Sequence, residues 1–479
     1  MKTLKRILPV VLLIAAVVTR FVWLDIRPMD HDESVHAWIA LKSVLEWHNY
    51  IYDPAFHGPF LYFASALTFY LFGDSDFTAR LPTALFSLIG VLAAIGFRRW
   101  IGDSAYIFAF FFVFSPSVLY YSRYDRNDLI VLSSFLIALY CYLRYKESKK
   151  TIFACFSAFF FAVVFTSKEN WVEYIPMFIV FILVYGVKEK GLSYLKNLIN
   201  KVTVFALAIF LLFSSFLYSS AFAHVFNGKN PIEVILDKSW IEHYANVALS
   251  YWISHAISFG EVKPHFQPIW FYTPMLLKYE FLSLALAISS IPLVLRKRNL
   301  SFIELFSIWW CFVALLFYHV MSYKTPWLIV HIATPLAFFG SIFAGKEVFR
   351  RNSTKLVFAL AALATLVVSF HINYVNYNDA KNEELIYVQT QPQAIELANE
   401  IRELVHEGKR VAVYVPQHYY WPLPWILRNE KNIVYLGDKC PSGYDYVFTT
   451  AKDECEKIGY KAIKSYEFRV GFYFWKMVK

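Results

Sequence analysis

Charge is scarce in this chain: Asp, Glu, Lys and Arg together make up 17% of 479 residues, against 58% hydrophobic side chains. Soluble domains carry about 25% charged residues, so an ordinary water-facing surface is excluded and a bilayer is the natural solvent. Cysteine is scarce too, with five in all. Cys141, Cys155 and Cys311 stand in apolar runs and read as small buried hydrophobes. Cys440 and Cys455 lie in a polar tail and can form a disulfide if that tail is extracytoplasmic. The same tail lacks a Gly-rich phosphate loop and paired-Cys metal spacing, so no chemistry is assigned to it.

What the chain does have is long apolar runs, such as Ile7 to Leu24, Val202 to Phe222 and Leu356 to Phe370. They are long enough to cross a hydrocarbon core, and only helices satisfy a backbone there. No small-residue cleavage site follows the first run, which reads as an uncleaved helix. The formal charge of +10 does not imply nucleic acid, because the Lys and Arg residues fall in short clusters between apolar spans.

Those clusters orient the chain. Lys2/Lys5/Arg6, Arg98/Arg99, Arg144/Lys146/Lys149/Lys150, Lys188/Lys190/Lys196, Arg296/Lys297/Arg298 and Lys346/Arg350/Arg351/Lys355 are cytoplasmic by the positive-inside rule. An even number of crossings must separate neighbouring clusters. The segment 59–72, about 14 residues long, is therefore placed on the outer surface as an interfacial helix. About eleven crossings follow: 7–24, 81–97, 104–120, 128–144, 152–166, 172–187, 201–222, 271–295, 302–321, 326–344 and 355–372. The N-terminus is then cytoplasmic. The outer side receives 25–80, 121–127, 167–171, the long loop 223–270, 322–325 and everything after His371. Residues 1–372 read as a transmembrane domain, and 373–479 as a small extracytoplasmic α/β domain. Strands are expected at 410–415, 432–436 and 444–449, with a helix at 393–406.

The polar motifs gather on that outer side. The first loop reads Met29-Asp30-His31-Asp32-Glu33-Ser34-Val35-His36, followed by an amphipathic stretch with Trp38, Leu41, Val44 and Leu45 on one face. Acids at a first helical turn cap the helix dipole, which accounts for one carboxylate but not three beside two histidines. Asp32 and Glu33 are candidate catalytic groups, with Asp128 a third at the start of a later span. The second loop, Tyr120-Tyr121-Ser122-Arg123-Tyr124-Asp125-Arg126-Asn127-Asp128, holds charges that must pair or act so close to hydrocarbon. Local pairs, Arg123 with Asp125 or Arg126 with Asp128, are the plain alternative. Candidate substrate-binding residues are Arg123, Lys168 and Glu169 of the third loop, Tyr323 and Lys324 of the fourth, and His331 just inside its span. For the lysines, snorkelling to the interface serves equally well. His36 and His57, with Asp32 and either His255 or His265, are candidate ligands of a divalent metal cation. The aromatic cluster Tyr419-Tyr420-Trp421-Pro422-Leu423-Pro424-Trp425 either stacks on sugar rings or docks the tail onto the membrane domain.

An acidic pair after the first helix, interfacial helices before the second, and a further acid in the second loop resemble the GT-C superfamily of membrane glycosyltransferases. His31-Asp32-Glu33, Gly73-Asp74 to Leu81-Pro82 and Tyr120-Tyr121-Ser122-Arg123 look like its protein O-mannosyltransferase and lipid A aminoarabinose transferase branch, over roughly residues 7–190. A "flippase activity-associated" archaeal and bacterial family is similar nearly end to end, through His31 to His36, Tyr52-Asp53-Pro54, His57-Gly58-Pro59, Tyr323 to Trp327, Val388-Gln389-Thr390 and Trp421 to Trp425. The resemblance implies a GT-C-like fold and transfer of a sugar from a polyprenyl-phosphate carrier to a protein, lipid or glycan acceptor. A flippase or a non-catalytic accessory subunit for lipid-linked sugars is the alternative. His57-Gly58 departs from the Glu-Lys of the aminoarabinose transferases, so a metal or phosphate role there rests on His57 alone.

Overall fold

Apolar runs become helices because lipid offers their backbone no other partner. The computed structural model describes residues 2–53, 56–219, 265–348 and 350–479. Its principal helices in the first half are α1 (Lys2–Phe21), α2 (His31–Trp38), α3 (Phe60–Phe72), α4 (Asp76–Gly96), α5 (Ala105–Phe114), α6 (Pro116–Ser122), α7 (Asp128–Ser148), α8 (Thr151–Ser167), α9 (Trp171–Lys190) and α10 (Lys201–Tyr218). There follow α11 (Tyr272–Tyr279), α12 (Phe281–Arg296), α13 (Phe302–Val320), α14 (Val330–Val348) and α15 (Asn352–Phe370). Among the described residues seven helical stretches are long and apolar enough to cross a bilayer, or eight if one bent pair is a single span. Most of the loop expected at 223–270, including His255, lies outside the described residues.

Two expected spans are broken. The segment 104–120 divides at Ser115, whose ψ of 129° is not helical, because the following Pro116 lacks an N–H and disfavours helix in the residue before it. The segment 271–295 divides at Glu280, where α11 and α12 meet at 99°. One carboxylate holds both breaks: buried Glu280 accepts from Ser115 Oγ at 2.6 Å, Ser117 Oγ at 2.6 Å and Ser117 N at 3.0 Å. These bonds replace backbone pairing that the breaks forfeit.

The stretch Pro326–Val348 is the buried axis of the bundle. It packs against α12, α13, α5 and α7, which is why it is apolar on every side rather than along one stripe. Around it Phe108, Phe135, Phe306, Trp310 and Phe338 form the main core.

The helix expected after Glu33 is present as α2, continued by a π-helical turn at Ile39–Glu46. Its apolar face does not lie bare at the interface. Leu41, Val44 and Leu45 pack with Phe69 of α3 and with Trp425 from the C-terminal domain. With 13 residues, α3 is too short to span a bilayer.

The C-terminal residues form a five-stranded sheet in the order β2-β1-β3-β5-β4, with β1 (Val411–Tyr414), β2 (Ile433–Leu436), β3 (Tyr446–Thr449), β4 (Lys461–Arg469) and β5 (Phe472–Val478). The first three are parallel, and β4–β5 is an antiparallel hairpin beside β3. The helix α16 (Gln393–His406) buries Leu397 and Ile401 against Val411, Val413 and Phe448. Cys440 and Cys455 form a disulfide, their Cα atoms 5.4 Å apart. The aromatic cluster docks the domain: Trp425 stacks on Phe69 and donates Nε1–H to Asp76 at 2.8 Å, Trp421 meets Trp38 edge to face, and Arg428 pairs with Asp74.

Candidate active site

The acid loop is built on a capping box. Asp30 Oδ1 accepts the Glu33 backbone N–H at 2.8 Å, and the Glu33 side chain returns to the Asp30 N–H at 3.4 Å. Capping thus uses Asp30 and part of Glu33. The rest of Glu33 is committed as well. Arg80 of α4 donates Nε and Nη2 to its two carboxylate oxygens, both at 2.7 Å, while the Asp125 N–H donates to Oε1 at 2.9 Å. Arg80 also donates to the carbonyls of Leu24 and Arg27. Both partners of this pair are wholly buried. Glu33 therefore fixes the loop onto α4 and onto the second outer loop. Burial works against its ionisation, but Arg80 and Arg27 outweigh this and hold the carboxyl below its usual range.

Asp32 is the open member. Its side chain retains 40% of its exposure while its carboxylate pairs with Arg126 Nη1. Desolvation opposes ionisation here too, and is overcome by Arg126, His36 and His31, so Asp32 titrates well below an ordinary carboxylate. The Arg126 guanidinium lies 3.7 Å above the Trp327 ring, with Nε 3.6 Å from Asp128 Oδ2. Asp128 opens α7 and accepts from Lys168 Nζ at 2.8 and 3.0 Å. His331 Nε2 lies 3.2 Å from Asp128 Oδ1, and its Nδ1 is 2.6 Å from the Tyr174 hydroxyl. Lys168 Nζ stands 5.8 Å from the centre of the same Trp327 ring. Two cations thus share one aromatic floor beside two carboxylates. Among the described residues Arg126 Nε and Trp327 Nε1 are buried without a hydrogen-bond partner, which leaves N–H donors for a polar ligand.

The structure brings Asp32, Asp128, Lys168 and His331 together through Arg126, with Tyr323 and Glu169 at the edge of the same cluster, and turns Arg123 and Lys324 to other partners. Local pairing of Arg123 with Asp125 does not occur. Arg123 turns back to the end of α1, donating to the carbonyls of Thr19 at 2.8 Å, Arg20 at 3.2 Å, Val22 at 2.9 Å and Trp23. Its guanidinium is occupied in holding that helix end. Lys324 likewise donates Nζ to the carbonyls of Met321 and Gln267, beside a 280 Å³ cavity lined by His265, Glu383 and Tyr387. Tyr323 packs its ring on His265. Glu169 is taken by His57, whose Nδ1 lies 2.9 Å from Oε2.

His36 and His57 are close, with ring centroids 6.0 Å apart. His36 donates Nδ1–H to the Asp125 carbonyl at 2.9 Å. Among the described residues no group of three or more His, Cys, Asp or Glu side chains is arranged to hold a metal ion. The carboxylates a cation would need are instead paired with Arg126, Lys168 and Arg80. Among the described residues, which do not include His255, the expected ligands do not form a metal site, and no step is routed through one. Burial, with Arg126 and His57 nearby, pushes the His36 imidazole down to about 3. An unfolded histidine titrates near pH 6.5, so below that the unfolded chain gains a proton that the folded chain refuses. Stability is therefore expected to fall as pH drops from about 6.5 toward 3. Thermal melts of the parent and of His36→Asn check this: the variant keeps a donor for Asp125 and should show a shallower loss over that window.

Sequence reasoning missed Arg126 and Trp327 as members of the site. Both stand in motifs that the sequence displays, but their partners lie on other elements. The sequence offers Asp125 only as a local partner for Arg123. Among the described residues both of its oxygens are buried without a hydrogen bond, and burial beside Glu33 raises its carboxyl well above the usual range.

Residues 56–218 match the family model for dolichyl-phosphate-mannose-protein mannosyltransferase. The whole fold is similar to the crystal structure of ArnT from Cupriavidus metallidurans bound to undecaprenyl phosphate. The TM-score is 0.68 and the identity 14%, over 98% of this chain and 97% of that one. The apo structure of the same protein gives 0.63 at the same identity and coverage. The archaeal oligosaccharyltransferase AglB from Archaeoglobus fulgidus, in complex with an inhibitory peptide and a dolichol-phosphate, gives 0.57 at 14% identity, over 94% of this chain and 70% of that one. No curated protein matches. The GT-C-like architecture expected from the sequence, a polytopic helical membrane domain with a small C-terminal sheet domain, is thus the fold of this chain.

Proposed function

We propose that the chain transfers a glycosyl group from a polyprenyl-phosphate carrier to an acceptor hydroxyl or amide at the outer face of the membrane. The observation that carries this reading is the half-open Asp32 carboxylate beside Arg126 and Lys168, two cations seated over Trp327. A phosphate entering there displaces Asp32 from Arg126. The freed carboxylate regains basicity and accepts the proton of the acceptor as its oxygen or nitrogen bonds to the sugar's anomeric carbon. The bond from that carbon to the phosphate oxygen breaks, and the added charge on the departing polyprenyl phosphate falls on Arg126 and Lys168. Asp128 and His331 position Lys168, and Glu33 holds the loop through Arg80. Membrane lipids surround the carrier chain; the acceptor is a protein, lipid or glycan.

The disulfide supports an extracytoplasmic C-terminal domain, since such bonds persist in oxidising compartments. The buried polar network reaches Tyr174 and His331, in the first turns of α9 and α14, with Glu173 and Tyr318 at the same level, beyond which Phe135, Phe306 and Trp310 close the core. That favours chemistry at one face over passage of a lipid-linked sugar through the bundle, where ionisable groups would continue inward.

The test is turnover of defined polyprenyl-phosphate sugars by protein in liposomes, with membrane extract as acceptor source and with and without chelator. Release of free polyprenyl phosphate coupled to acceptor labelling is expected, unchanged by chelator. Movement of labelled carrier between leaflets without any transfer would replace this reading with a flippase.

A further inference from the structure

The C-terminal domain reaches the acid loop through the tip of its last hairpin. Arg469 ends β4, and the turn that follows passes through Gly471 at φ +73°, a conformation glycine adopts without strain. The turn brings the guanidinium back toward the membrane domain. Nη2 donates to the Trp421 carbonyl and lies 3.5 Å from His31 Nδ1, at the first turn of α2. Trp421 in turn packs on Trp38 at the last turn of the same helix. Both ends of α2 are therefore held from the second domain. Among the described residues Arg469 Nε is buried without a hydrogen-bond partner, and the side chain feels the charges of Asp30 and Asp32.

We propose that Arg469 is a positioning residue for the His31-Asp32 end of the acid loop, so that the C-terminal domain completes the active site instead of merely docking beside it. This rests on the transferase reading for its consequence in catalysis, but not for its geometry. Docking has its own anchors, Arg428 on Asp74 and Trp425 on Asp76, which allows the two roles to be separated.

The experiment compares full-length parent, Arg469→Ala, Arg469→Lys and Arg428→Ala in nanodiscs by hydrogen exchange. Arg469→Ala is expected to speed exchange of amides 31–36 by about tenfold, the scale of one charged hydrogen bond, with 423–427 unchanged. Arg469→Lys should restore most of the protection, because a lysine can still donate to the Trp421 carbonyl. Arg428→Ala should do the reverse, loosening 423–427 and sparing 31–36. With a donor that the parent turns over, Arg469→Ala should lower kcat about tenfold with the donor KM unchanged. Parent-like exchange at 31–36 in Arg469→Ala, or an increase shared equally with 423–427, overturns the proposal. Absence of turnover in the parent would count against the transferase reading alone, since the exchange pattern does not depend on it.

Discussion

Asp32→Asn is expected to lower sugar transfer by about 10²- to 10⁴-fold, the usual contribution of a positioned general base. The substitution keeps the size of the side chain and a contact for Arg126, so the loop should stay folded. Polyprenyl phosphate should bind at least as tightly as before, because Arg126 no longer has a carboxylate to leave. That combination, lost turnover with retained or improved carrier binding, separates a base from a binding residue. Because Arg126 and the neighbouring histidines hold Asp32 of the free protein ionised well below the ordinary carboxylate range, kcat/KM, which reports the free enzyme, should not fall off from this group between neutral and mildly acid pH. Transfer by Asp32→Asn within a few-fold of the parent would remove Asp32 from the mechanism.

Arg80→Met is expected to destabilise the protein by about 3–5 kcal/mol, the cost of leaving one partner of a buried ion pair uncompensated. Glu33 would then be a wholly buried carboxylate with its two charged hydrogen bonds gone and only the more distant Arg27, at 3.9 Å, left as a cation beside it. The carbonyls of Leu24 and Arg27 would lose their donors too. Thermal stability in detergent is the measurement, read beside the double variant Arg80→Met/Glu33→Met. Removing both charges should recover much of the loss, since a well-packed apolar pair is often no worse than a buried ionic one. If the double variant is no more stable than Arg80→Met alone, the damage lies in the lost carbonyl contacts and not in the stranded charge.

These two residues show what the sequence could and could not reveal. Asp32 and Glu33 are adjacent and look alike on paper, yet one is open and the other buried to its last oxygen. The difference is made by Arg80, 47 positions away, which no local pattern connects to the loop. Arg126 was visible as a charge near a membrane face, where something must neutralise it. Sequence proximity points to Asp128 as its partner, whereas the tighter contact is with Asp32. Lys324 and Arg123 were also visible, but their surroundings consist of backbone carbonyls, and helix ends seldom advertise in sequence which side chain will come to them. The helices themselves were legible because hydrocarbon forces one answer on any long apolar run. The breaks at Ser115 and Glu280 were not, although Pro116 carried the signal for the first. In the tail, three strands and α16 followed from periodicity. The β4–β5 hairpin was overlooked because its alternation is weakened by exposed Lys461, Lys464 and Ser465, and Arg469 was overlooked with it.

The joint made by Glu280 also bears on how the chain is made. Ser115 and its acceptor are 165 residues apart, so α5 and α6 leave the ribosome and enter the bilayer long before Glu280 has been synthesised. Until then the interruption at Pro116 has donors facing hydrocarbon or a passing chaperone. The amino-terminal half cannot reach its final shape as an autonomous piece. Completion of the outer loops that bear Asp125 to Asp128 must wait for the second half of translation, and a protein truncated before residue 280 is expected to be cleared by quality control instead of accumulating as a folded fragment.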